Sequence, residues 1–149
     1  MKKIKPIPFL KVDIVSAVEI LDECILAGYK LKDEIAIEYN KVKQRVTVQE
    51  MSDWQSESRN WVNNCLNKLQ QIYVSPREAY NFRDVKTTRW LISSTANKDY
   101  VDIIDMFEAK IKLLNDYLSF ILQRPNVLFY SKRDLFVQFG SDSKQEVKN

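Results

Sequence analysis

From Tyr100 to Ile121 the apolar residues Tyr100, Ile104, Phe107, Ile111, Leu114, Leu118 and Ile121 follow one another in alternating steps of four and three. Only an α-helix, with its period of 3.6 residues, gathers such a series onto one side of a chain. Asn97 or Asp99 is placed to cap this helix. Pro125 ends it after Arg124, because proline has no N–H to continue the ladder. A long helix with one apolar face needs other apolar faces to cover it, and the rest of the chain supplies them.

Asp13 is a candidate N-cap for the first such face. Ile14, Leu21, Ile35 and Val42 share one heptad phase, and Val18, Ile25, Tyr39 and Val46 share its partner. Gly28 and Lys32 interrupt the stripe without shifting its phase, so the pattern predicts one long helix over 14–46. In that helix Gly28 marks a kink or a close crossing. A second stripe comprises Met51, Trp54, Ser58, Trp61, Cys65, Leu69 and Ile72, and predicts a helix ending near Val74. Thr47 with Glu50, or Ser52 with Gln55, offers a capping box at its start. Ser75-Pro76-Arg77-Glu78 then reads as a cap, a first-turn proline and a glutamate reaching back, opening a short helix over about 76–82. Residues 83–96 carry no clear period.

Two glycines and four prolines in 149 residues are too few for the many turns of a sandwich or barrel. Hydrophobic residues make up 45% and charged residues 29%, which suits one globular domain with a real core. The expected fold is therefore all-α: a helical bundle of three long amphipathic helices plus one or two short helices. After it, Val127–Tyr130 and Leu135–Phe139 are aromatic and β-branched, and predict a C-terminal β-hairpin or an extended aromatic segment. The chain divides into a basic arm at 1–12, the bundle at 13–124, the aromatic segment at 125–140 and a polar, disordered tail at 141–149.

The chain contains no histidine. That excludes His-assisted nucleophiles, imidazole bases and the usual zinc sites, and leaves carboxylate, Lys, Tyr or Mg²⁺ chemistry. Cys24 and Cys65 lie 41 positions apart, without metal-type spacing, and read as two free thiols of a reducing compartment. Cys65, on the apolar stripe, is expected to be buried and inert, with Cys24 flanking it. No run of apolar residues is long enough to span a membrane, and the N-terminus lacks a signal-peptide core, so a cytoplasmic protein is expected. Lys, Asn and Ile are abundant while Gly and Ala are sparse, a bias of AT-rich bacterial or phage genomes.

Net charge is +3, too mild to demand a nucleic-acid partner. Lys41, Lys43 and Arg45, with the basic arm, are the candidates for phosphate binding and carry an alternative nucleic-acid reading. At a helix C-terminus the same cations complement the dipole. Asn60, Asn63, Asn64 and Asn67 crowd the second helix although Asn is a poor helix former. Asn60, Asn64 and Asn67 are therefore candidates for a partner-binding face, as are Phe129, Tyr130, Phe136 and Phe139.

Asp99, Asp102, Asp105 and Glu108 follow at steps of three. Each step turns about 60° round the helix, so neighbours share a face but all four do not. Acids there also suit the helix dipole and solvate its outer side. The pair Asp102 and Asp105, with the like-spaced pair Glu19 and Asp22, resembles the dimeric all-α nucleoside triphosphate pyrophosphohydrolases. Those enzymes set two acidic pairs of neighbouring helices around Mg²⁺. The resemblance implies an Mg²⁺-dependent nucleotide hydrolase with Asp102 and Asp105 as ligands. Between Trp54 and Ile72, however, Glu57 is the one acid, so that stretch supplies no matching pair. The leading expectation is instead a non-enzymatic helical protein–protein interaction or regulatory module without a cofactor. Its partner is another protein or a second copy, because three helices of unequal length would leave apolar stripe uncovered at the ends of the longest.

Overall fold

The computed structural model describes residues 9–87 and 97–123, of which 86% are helical. The order is α1 (Ile14–Val42), α2 (Val48–Ile72), α3 (Arg77–Asp84) and α4 (Lys98–Gln123), with a 3-10 turn at Lys43–Arg45 between α1 and α2. The all-α bundle is as the periodicity requires. No strand occurs among the described residues. The arm at 1–8 and the expected hairpin, aromatic and tail segments beyond Arg124 lie outside them.

α1 runs unbroken through Gly28. The Asp13 carboxylate accepts from the Ser16 N–H at 2.8 Å, so the predicted cap is in place. The helix stops at Val42 rather than 46, because Lys43 turns to φ 46° and ψ −103°, which no helix continues. The Lys43 N–H still donates to the Tyr39 carbonyl. The Thr47–Glu50 capping box opens α2, with each side chain bonded to the other residue's N–H at 3.0 and 2.8 Å. All of Trp54, Ser58, Trp61, Cys65, Leu69 and Ile72 are buried, as the second stripe predicts.

The predicted cap of α3 needs correction. The Ser75 hydroxyl accepts from the Arg77 N–H at 3.0 Å, but Pro76 lies just outside the helix and Glu78 does not reach back. Glu78 turns inward and is 6% exposed. α4 is capped by Asn97, whose side-chain oxygen accepts from Asp99 and Tyr100 N–H groups. Its buried face is Ile103, Phe107, Lys110, Ile111, Leu114 and Ile121, with Tyr100, Ile104 and Leu118 at the margins. The helix is thus rolled slightly from the predicted phase, which brings Lys110 inside.

The core gathers Leu21 and Ile35 of α1, Trp54 and Leu69 of α2, Phe82 of α3 and Phe107 and Leu114 of α4, all at most 2% exposed. Leu10, ahead of α1, joins it through an antiparallel bridge to Tyr73. Lys11 N–H to Ile72 O and Val74 N–H to Phe9 O fasten the same segment. The three long helices have 29, 25 and 26 residues.

Candidate functional site

The three groups of candidate residues fall in different places. Asn60, Asn63, Asn64 and Asn67 are all exposed on the outer side of α2. Lys41, Lys43 and Arg45 are exposed at the α1–α2 turn, two of them in the 3-10 segment. Asp102 lies on α4, paired with Lys98 at 3.2 Å, and its neighbour Asp105 is half-buried one turn on. Glu108, last of that series, pairs with Lys32 of α1 at 3.7 Å. Among the described residues no group of three or more His, Cys, Asp or Glu could hold a metal ion. Phe129, Tyr130, Phe136 and Phe139 lie outside the described residues.

A different set of acids meets where α1 and α2 run side by side. Glu57 has its pKa raised, first by burial and then by the fields of Glu38, Asp53 and Glu34. Glu38 is held by the Trp54 indole N–H, which donates to its carboxylate at 2.6 Å. The sequence shows these acids on two separate helices, and only the hairpin brings them together.

Two shallow grooves of about 330 and 280 Å³ share Gln55 and Asp99 and run between the first halves of α2 and α4. Val48, 88% exposed, stands on the rim of the larger. Both grooves are open to solvent.

The outward side of α1 is more distinctive. Val15, Leu26 and Ile37 are 68%, 63% and 58% exposed, and Tyr29 is 42% exposed beside them. Val15, Leu26 and Ile37 recur at intervals of eleven, three turns of helix, so they form one straight line about 33 Å long. This line lies on the side of α1 away from Leu21, Cys24, Gly28, Ile35 and Tyr39, which are buried. Exposed Glu19, Asp22, Glu23, Lys30 and Asp33 flank it.

Among the described residues two charged ones are inside. The Lys110 ammonium donates to the Phe82 and Arg83 carbonyls at 2.6 and 2.9 Å and sits 4.9 Å from the Phe82 ring centre. It thus holds the last turn of α3 against α4, and burial lowers its pKa. Glu78 meets Arg77 at 3.3 Å through one oxygen, while the other has no hydrogen-bond partner. Both cysteines are buried and free. No helix among the described residues is long and apolar enough to cross a membrane. Comparison of the chain with protein-family models, with curated proteins and with solved structures finds no match in any of the three.

Proposed function

We propose that this chain is a non-enzymatic helical interaction module that pairs with a second copy of itself through the outward face of α1. The observation that carries this reading is the line Val15, Leu26 and Ile37, exposed over three turns on either side of Leu26. A two-fold axis at Leu26 turns such a line onto itself. It sets Val15 of each copy against Ile37 of the other, and Leu26 against Leu26, in an antiparallel pair. Each contact off the axis then occurs twice, which is how a modest patch becomes an interface. Glu23 and Lys30 lie on one flank of the line, so the same axis brings each Lys30 opposite a Glu23 of the other copy. Two free thiols fit a reducing, cytoplasmic setting for such a protein.

Light scattering on the wild-type chain at about 100 μM should give a mass near twice the 17.6 kDa of one copy. Leu26→Asp places a charge on the axis without touching the core, and should give a folded monomer with an unchanged helical spectrum. A wild-type monomer at that concentration, or a dimer indifferent to Leu26→Asp, overturns the reading. Marked stabilisation by Mg²⁺ would instead favour the nucleotide hydrolase. Steeply salt-dependent binding of DNA or RNA would favour the Lys41–Arg45 cluster.

A further inference from the structure

We infer that α3 is a strap that opens as a unit, leaving α2 and α4 while the three long helices stay packed, and that two buried, mutually unpaired charges at its interface, Glu78 and Lys110, make this the cheapest opening of the fold.

α3 has eight residues, and of these Glu78, Ala79 and Phe82 are buried. A helix this short has no stability of its own, so its contacts alone hold it. Ala79 is small, which leaves Phe82 as the one large apolar anchor, its ring meeting Trp61 edge-on at 5.9 Å. Tyr80, Asn81, Arg83 and Asp84 face solvent. The Arg83 guanidinium is engaged within α3 itself, with Asp84 at 2.9 Å and over the Tyr80 ring at 5.1 Å. Just ahead of the strap, the Val74 N–H bonded to the Phe9 carbonyl fixes the chain. Ser75 and Pro76 lie between that anchor and the helix and form the hinge, where Pro76 has no N–H to tie down.

The rest of the interface is polar. Tyr117 and Lys110, seven residues and two turns apart on one side of α4, both donate to carbonyls of α3. Tyr117 takes that of Glu78 in the first turn at 2.9 Å, and Lys110 those of Phe82 and Arg83 in the last at 2.6 and 2.9 Å. These bonds clasp both ends of the strap, but they bury charge to do so. Among the described residues the buried polar side chains are Ser58, Glu78 and Lys110. Ser58 is satisfied within its own helix by the Gln55 carbonyl. The two charged ones both lie at α3 and do not pair with each other. One Glu78 oxygen meets the exposed Arg77 and the other has no partner, while the Lys110 ammonium meets neutral carbonyls. Opening returns both charges to water, which offsets part of the cost of uncovering Phe82. The contacts joining α1, α2 and α4 give no such return, so α3 is released first. The outward face of α1 takes no part in this motion.

Native-state hydrogen exchange of the full wild-type chain, followed by NMR over urea concentrations below unfolding, tests the strap. The amides of Tyr80 to Asp84 should exchange about 100-fold faster than the slowest amides of α2 and α4, through an opening that scarcely depends on urea because it uncovers little surface. Glu78→Gln removes the orphaned charge and should slow exchange in α3 about fivefold. A thiol placed under the strap by Ala79→Cys should react with an aromatic disulfide reagent well before Cys24, which lies in the α1–α2 packing and is 2% exposed. The inference fails if the α3 amides share the protection and the urea dependence of the slowest amides of α4, because α3 then opens only with the whole fold. It fails as well if Ala79→Cys reacts no faster than Cys24, or if Glu78→Gln leaves α3 exchange unchanged or speeds it.

Discussion

Gly28 and Trp61 share a space that admits no Cβ: one built on Gly28 would lie 2.5 Å from Trp61 Cζ2 and 3.2 Å from Ile111 Cδ1. The indole cannot swing aside, because its N–H is engaged by the Cys24 carbonyl at 3.0 Å. Glycine inside a helix costs about 1 kcal/mol relative to alanine, so an unconstrained Gly28→Ala would stabilise. Here overpacking opposes that gain and exceeds it. Gly28→Ala should lower stability by about 1–2 kcal/mol in urea unfolding. A more stable variant would mean that α1 and α2 are not in this close contact.

The continuity of α1 was legible because Ile14, Leu21, Ile35 and Val42 keep one phase across Gly28, and a helix that broke there would have lost it. Ser58 was legible as buried for the same reason. It sits on the stripe of α2, and its hydroxyl is satisfied locally by the Gln55 carbonyl at 2.9 Å. Lys110 was not, since its type argues for solvent and only the carbonyls of α3, 28 and 27 residues away, make it a core residue. Glu78 fitted a capping box by spacing, but Tyr117 of α4 binds its carbonyl and the side chain follows inward. The line on α1 hid in plain view. Until the inward phase is fixed by packing, Val15, Leu26 and Ile37 look like scatter in an amphipathic pattern.

Glu78 carries a buried carboxylate oxygen with no partner, and its ion pair is to an Arg77 that is 70% exposed. Burying a charge costs more than such a pair returns. Glu78→Gln keeps the shape and removes the charge, and should raise stability by about 1 kcal/mol at pH 7. A loss of comparable size in thermal unfolding would show that the carboxylate has a partner in solution.

Lys43 holds φ 46°, alone among the described non-glycine residues in having a positive φ. A side chain in this region is strained, and glycine relieves it. Lys43→Gly should add up to about 1 kcal/mol despite the extra freedom it gives the unfolded chain. Lys43→Ala, which keeps the Cβ, should add nothing. Equal effects of the two substitutions, measured by denaturant midpoints, would place the benefit in charge rather than in backbone strain.

Tyr73 and Tyr117 meet edge-on beside Glu78. Burial first, and then the Glu78 field, raise both phenol pKa values, that of Tyr117 to about 12. An unfolded tyrosine ionises near 10, so above that pH the folded chain holds protons the unfolded chain has lost. The stability they contribute is complete below pH about 10 and is lost as pH rises toward 12. Lys110, with its pKa lowered by burial, works in the opposite sense up to its ordinary value of 10.5, but it is one group against two. Denaturant midpoints should therefore fall between pH 9 and 11.5. Tyr117→Phe, weaker at pH 8 for want of its bond to the Glu78 carbonyl, should fall less steeply over that range. A wild-type midpoint that holds or rises would reverse the assignment.

The proposed pairing makes one demand that a merely sticky surface would not. Glu19 lies seven residues before Leu26 and Asp33 seven after, both exposed and both close to the line. A two-fold axis at Leu26 sets each Glu19 opposite an Asp33 of the other copy, so two acid pairs oppose the association. Glu19→Lys converts both repulsions into attractions and should tighten the dimer by about five- to tenfold at low salt, and less where salt screens it. Adding Asp33→Lys to that variant restores like charges at the same places and should weaken the dimer again. Non-specific association through exposed apolar groups predicts no such reversal. It would follow net charge alone, and would shift in the same direction with each added lysine. Sedimentation equilibrium of the three proteins separates these cases. Tightening followed by loosening fixes the axis at Leu26, and any monotonic series places the contact elsewhere on the molecule.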